Sequence, residues 1–263
     1  MNGPPESLSD FLDEVPTSEK TLLLLNRTGP EPLATLLKNA FATQDVTVAE
    51  RQVPNGTDDL ICLIDEGRVV TTSPFEGLEA SFLLVNVDRY RTGARPVDPE
   101  RFPDVLTELN DVEFTVRGFP ASNKEKLLLT LISRFIEHLA LSTGTGQLHT
   151  TFQRLSLLDD EYGTKTLYEW LGESDVETHV YGVADDPTVV SDLNLPVHSG
   201  NTAPYRRSWV LAFRAAEGTT VGDRLPTHAA LVAIQTGSNV YRGLWTYDSV
   251  RVNRVLAYID EAF

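Results

Sequence analysis

Between Asn123 and Leu141 the chain reads NKEKLLLTLISRFIEHLAL, and Leu128, Leu131, Ile132, Phe135, Ile136 and Leu139 recur at steps of three and four. That spacing puts them on one face of a helix, which Ser122 is placed to cap. A helix with so wide an apolar face is stable only when a sheet or other helices cover it, so the rest of the chain is organised around it. The segment is broken by Arg134, Glu137 and His138 and is too short to cross a bilayer. Ser142-Thr143-Gly144-Thr145-Gly146 ends it, because closely spaced glycines propagate a helix poorly.

The sequence before this helix alternates between the two periods. Ser7 to Val15 makes a short helix after a flexible start. Thr21 to Leu25 is a continuous apolar run of the kind shown by a strand buried on both faces. Pro32 to Thr43 follows as a helix, and Asp45 to Val53 as a strand. Leu60 to Ile64 and Val69 to Thr72 flank Asp65-Glu66-Gly67-Arg68, a hairpin turn in which Gly67 supplies positive φ. Asn86 to Pro103 reads as a long surface loop, Asp104 to Leu109 as a helical turn and Val112 to Val116 as a strand. After the long helix, Leu148 to Leu158 and Thr164 to Leu171 read as two shorter helices. Val176 to Val183, Ser208 to Ala215, Ala229 to Gln235 and Val240 to Tyr247 read as four strands, the last two joined by a hairpin. A final helix capped by Asp248 or Ser249 carries Val252, Val255, Leu256, Ile259 and Phe263 as its buried stripe.

The expected fold class is therefore α/β (α+β), divided into residues 1–18 (flexible N-terminus and short helix), 19–117 and 118–263. Residues 19–117 form a lobe with a mixed sheet, and residues 118–263 a lobe with a four-stranded, mainly antiparallel sheet covered by helices.

Charge narrows the range of functions. The chain has 38 Asp and Glu against 22 Lys and Arg, a net charge of -16, and its basic residues divide into 5 Lys and 17 Arg. Direct nucleic-acid binding is not expected on this balance, because phosphate neutralisation needs a concentrated basic face. Many carboxylates and few lysines point to a salt-adapted cytoplasm, where molar salt shortens the Debye length to about 3 Å and screens self-repulsion. No secretory signal or membrane anchor is visible, and the one cysteine, Cys62, lies in the apolar run Leu60–Ile64 as inert packing.

Catalytic and cofactor motifs are weak. Gly144-Thr145-Gly146 lacks the third glycine of a dinucleotide loop, since position 149 is His149, and no Gly-Lys-Ser/Thr occurs. The five histidines, His138, His149, His179, His198 and His228, are scattered with no metal-ligand spacing, although a fold could gather two of them. No Gly-x-Ser-x-Gly elbow is present. Neither a metal nor any particular cofactor is implied.

Aromatic residues of the last third carry more information. Trp209, Leu211 and Phe213 alternate onto one face of their strand, and Tyr241, Gly243, Trp245 and Tyr247 onto one face of theirs. Two readings stay open: the rings pack under the terminal helix, or they line an apolar pocket with Arg206-Arg207 at its lip.

These residues also carry a resemblance to a known family. Tyr241-Arg242-Gly243-Leu244-Trp245-Thr246-Tyr247-Asp248 resembles the closing strand of the DICT domain, named for diguanylate cyclases and two-component systems. Gly146 to Gln153, Tyr168, Val180-Tyr181-Gly182-Val183-Ala184-Asp185 and Ser208-Trp209-Val210-Leu211 are similar to further parts of that pattern. The match covers about residues 124–248, and residues 19–117 resemble the lead-in of free-standing haloarchaeal members. The resemblance implies a non-catalytic sensory module. With no kinase, cyclase or DNA-binding output domain before Phe263, it also implies signalling by contact with a separate protein such as a histidine kinase or regulator. A small-molecule ligand and a homodimer are compatible with it; nucleic acid and membrane are not expected as partners. The residues expected to line a pocket or interface are Trp209, Trp245, Tyr247, Gln153, Tyr168 and Arg207, with no catalytic residue among them. The alternatives are a structural interaction module without a ligand and an enzyme.

Overall fold

The computed structural model describes residues 7–15, 19–29, 31–42, 44–78, 102–117, 127–159, 164–191, 193–222, 225–238 and 240–263. The loop expected over Asn86 to Pro103 therefore lies almost wholly outside the described residues. The fold is α/β, with two mixed sheets of four and seven strands.

The first sheet has the order β2 (Val46–Arg51), β1 (Lys20–Leu25), β3 (Leu60–Asp65), β4 (Arg68–Pro74). β1 and β2 are parallel and α2 (Glu31–Phe41) connects them, while β3 and β4 are antiparallel neighbours. The β3–β4 turn places both Glu66 and Gly67 at positive φ, 48° and 75°. This is the tight hairpin geometry whose twist suits the flanking strands.

The second sheet has the order β5 (Phe114–Arg117), β11 (Val240–Thr246), β10 (His228–Gly237), β9 (Ser208–Ala215), β6 (Thr145–Phe152), β7 (Asp175–Gly182), β8 (Val197–Ser199). It is antiparallel from β5 to β6 and parallel across β6, β7 and β8. The four strands expected in the last third are its β7, β9, β10 and β11. Three more extend it, and β5 enters from the segment that sequence assigns to the first lobe.

One element differs in kind. Leu148 to Leu158, expected as a helix, is the strand β6 as far as Phe152, followed by a short 3-10 turn at Leu155–Leu158. Leu148, Phe152, Leu155 and Leu158 fall by chance at helical spacing. The β-branched Thr150 and Thr151 and pairing with strands on both sides decide for the strand.

The long helix α4 (Leu127–Thr143) packs on β6, β9 and β10 and buries Leu131, Ile132, Phe135, Ile136 and Leu139. Gly144, at φ 71°, closes it by donating to the Ala140 carbonyl at 3.0 Å, and β6 begins at the next residue. The opposite face of the sheet, with Val210, Ala212, Ala230, Val232 and Leu244, is covered by the C-terminal helix α8 (Ser249–Ala262) and the short helix α1 (Leu8–Asp13). Asp248 caps α8, its carboxylate accepting from the Arg251 amide at 2.8 Å. Glu14 pairs with Arg254 at 2.6 Å and ties the end of α1 to α8.

The two sheets share one continuous core. Phe41 of α2 meets Phe114 of β5 edge-on at 6.3 Å, and Phe114 stacks on Trp245 of β11 at 4.9 Å and 7°. Lys20 is buried, and its ammonium donates to the carbonyls of Glu108 and Asn110 at 3.2 and 2.7 Å. The Gln44 side chain pairs twice with the Thr115 backbone, donating at 2.6 Å and accepting at 2.8 Å. It occupies hydrogen-bonding positions that a further strand beside β5 would otherwise fill. Among the described residues no helix is long and apolar enough to cross a membrane.

Candidate functional site

The residues expected to line a pocket lie on the face of the second sheet opposite α8, in three places. Trp245 is fully buried against Phe114, and both its indole N–H and the Tyr247 hydroxyl donate to the Thr107 carbonyl, at 3.0 and 2.7 Å. Tyr168, from α5 (Thr164–Gly172), is also fully buried, with its hydroxyl donating to the Glu137 carboxylate at 2.9 Å and lying 3.0 Å from the Thr150 hydroxyl. Trp209, Gln153 and Arg207 do come together. Trp209 stands perpendicular to Tyr241 at 6.1 Å, and the Tyr241 hydroxyl donates to Gln153 at 2.9 Å. Gln153 is in turn 3.4 Å from Gln235, whose carbonyl accepts from Arg207. The rings thus pack beneath α4 and against β5 rather than beneath the terminal helix.

An open cleft of about 390 Å³ lies on the other face, between the sheet and α8. Its floor comes from parallel pairing. The β6–β7 register sets Gln147 beside Glu177 and His149 beside His179, and the β7–β8 register sets Tyr181 beside His198. Because alternate residues of a strand share a face, these six side chains form one polar field. Arg214 of β9, opposite Gln147, completes it. The roof is one face of α8, with Asn253, Leu256, Ala257 and Asp260 at i, i+3, i+4 and i+7.

The rings are stacked across the strands, His149 on His179 at 4.9 Å, His179 on His198 at 5.2 Å and Tyr181 on His198 at 4.6 Å. His149 Nδ1 is 3.0 Å from the Tyr181 hydroxyl, and His179 Nδ1 is 3.0 Å from His198 Nε2, one of that pair donating and the other accepting. A hydrogen-bonded belt then runs to the helix. His179 is 3.3 Å from Glu177, which accepts from Gln147 at 3.0 Å; Arg214 donates to Gln147 at 2.5 Å and to Asn253 at 2.9 Å.

Burial sets the charge state of the floor. It holds His149 down at about 4, with His179 adding to the effect and Asp260 and Glu177 opposing it. His198 is lowered by burial and then by His179, while burial raises the Tyr181 phenol. Glu177 is held below the usual carboxylate range by its hydrogen bonds from Gln147 and then His179. At neutral pH His149, His198 and Tyr181 are therefore uncharged, and Glu177 is ionised. Among the described residues no group of three His, Cys, Asp or Glu side chains is placed to hold a metal ion.

None of the cleft's histidines was singled out from sequence. Their spacing shows no pattern because thirty residues and a crossover helix separate His149 from His179, and reading β6 as a helix removed the register that joins them. The fold and site together define an α/β protein with a polar cleft under its C-terminal helix. No family model, curated protein or solved structure matches the chain.

Proposed function

We propose that this chain is a cytoplasmic, non-catalytic sensory protein of the DICT type, in which a small molecule held in the cleft biases the seating of α8. A separate signalling protein, such as a histidine kinase or regulator, reads the altered surface. The observation that carries this reading is the cleft itself. A concave site with a few convergent polar groups is the usual form of a small-molecule site, and here its roof is a single terminal helix. α8 is seated by Val252, Val255, Leu256 and Ile259 and held by polar ties to Arg214, Glu14 and Asp111. A ligand that prefers one seating by about 1–3 kcal/mol shifts such an equilibrium between roughly 5- and 150-fold.

A second reading, an enzyme using acid–base chemistry, is favoured by the hydrogen-bonded His149–Tyr181 and Glu177–His179 pairs beside the cleft. Native mass spectrometry in molar ammonium acetate of protein purified from its own cells separates these readings. The sensory reading expects an unmodified small molecule that is retained by the protein and lost from the Arg214→Gln variant. Recovery of a chemically converted compound favours the enzyme. An empty protein that still captures its partner moves the assignment to a ligand-free interaction module.

A further inference from the structure

The distribution of charge in the cleft defines the class of molecule it takes, given the small-ligand reading above. At one end Arg214 is held by Gln147 and Asn253. These bonds use two of the five guanidinium N–H groups and leave the others for an anion. At the other end Asp260, exposed on α8, makes no hydrogen bond or ion pair among the described residues. It lies seven residues beyond Asn253 on the same face of the helix, and its charge acts on both His149 and Tyr181.

Asn253 and Asp260 are two helical turns apart, about 10 Å along the axis. Along β6, His149 lies two residues beyond the Gln147–Arg214 row, about 7 Å further on. Between the ends the roof is hydrocarbon, Leu256 and Ala257, and the floor is two imidazoles, His149 with its Nδ1 engaged by Tyr181 and His179 with its two ring nitrogens engaged by His198 and Glu177. Glu177 shares the Arg214 row and keeps its negative charge, but both of its oxygens are already engaged, by Gln147 and His179. The hydrogen-bonding capacity left open is thus that of a guanidinium at one end and of a carboxylate at the other, with Leu256 and Ala257 on the roof between them.

We infer that the cleft binds an elongated zwitterion, an ω-amino acid or short peptide. Its carboxylate meets Arg214 and Asn253, its ammonium group meets Asp260, and its methylene or peptide body lies along Leu256 and Ala257. A compound with one charge leaves the opposite end of the cleft unpaired, and a free α-amino acid is too short to reach both ends.

Isothermal titration calorimetry tests this with 6-aminohexanoate and glycylglycine as probes, against glycine, hexanoate and hexylamine. At least one long zwitterion is expected to bind ten times or more tightly than all three controls, and the better of the two separates an ω-amino acid from a peptide. Asp260→Asn is expected to remove most of the advantage over hexanoate, and Arg214→Gln most of the advantage over hexylamine. Far-UV circular dichroism of both variants establishes that they fold. The inference is overturned if hexanoate or hexylamine binds as well as the zwitterions, or if Asp260→Asn leaves the preference intact. Absence of zwitterion binding up to about 10 mM, with another molecule retained from the cell, rejects the ligand class alone. Absence of both rejects the small-ligand reading as well.

Discussion

His149 should make the fold acid-sensitive in a defined window. It is 6% exposed on the floor of the cleft, where burial lowers its pKa from 6.5 to about 4. The groups facing it are His179, Glu177 and Tyr181 on β7, His198 on β8, Arg214 on β9 and Asp260 on α8. The folded state keeps the ring neutral, and the unfolded chain binds a proton near pH 6.5. Stability from this group is therefore fully present above pH 6.5 and is lost as pH falls toward 4. At 1.36 kcal/mol per pKa unit, linkage gives a loss of about 2 kcal/mol between pH 7 and pH 5 and about 3 kcal/mol by pH 4. Urea unfolding at fixed ionic strength, followed from pH 7 to pH 4, measures this for the wild type and for His149→Gln, whose side chain does not titrate. Subtracting the two curves cancels the carboxylates, so the gap should narrow by that amount as the wild type loses its advantage. Parallel curves would falsify the account of a buried neutral imidazole.

Three further outcomes test the packing. Gly243→Ala would bring a Cβ to 2.7 Å from the Val232 carbonyl oxygen and 2.8 Å from the Ala233 Cβ, and is expected to cost about 1–3 kcal/mol in chemical denaturation. Phe114→Ala removes the ring stacked on Trp245 and in contact with Phe41; a loss of roughly 3–5 kcal/mol is expected, with a changed tryptophan emission spectrum. Gln44→Ala uncovers the Thr115 backbone at the edge of β5. Faster hydrogen exchange at the Thr115 amide and a loss of about 1–2 kcal/mol are expected, and unchanged exchange would show that the side chain does not protect the edge.

Local chemistry made much of this fold legible in advance. The spacing of Leu131, Ile132, Phe135 and Ile136 and the glycines at 144 and 146 were enough to set the central helix and its end. Positive φ at Gly67 set the first hairpin, and Asp248 with the stripe from Val252 to Ile259 set the terminal helix. Each of these signals lies within one element, where side-chain period and backbone preference act over a few residues. The same holds for the charge balance, which is a sum over the chain and needs no coordinates.

What only the tertiary structure decided was register and face. Strand alternation states that Trp209 and Trp245 each share a face with their own neighbours. It does not state that α4 and Phe114 fill that face while α8 leaves a cleft on the other. Leu148 to Leu158 carries both periods, and only the partners on either side of β6 choose the strand. That choice, together with parallel pairing to β7, sets His149 beside His179, Gln147 beside Glu177 and Arg214 within reach of Asn253. Strand pairing joins residues far apart in sequence, and a shift of one position would turn every one of these side chains to the opposite face.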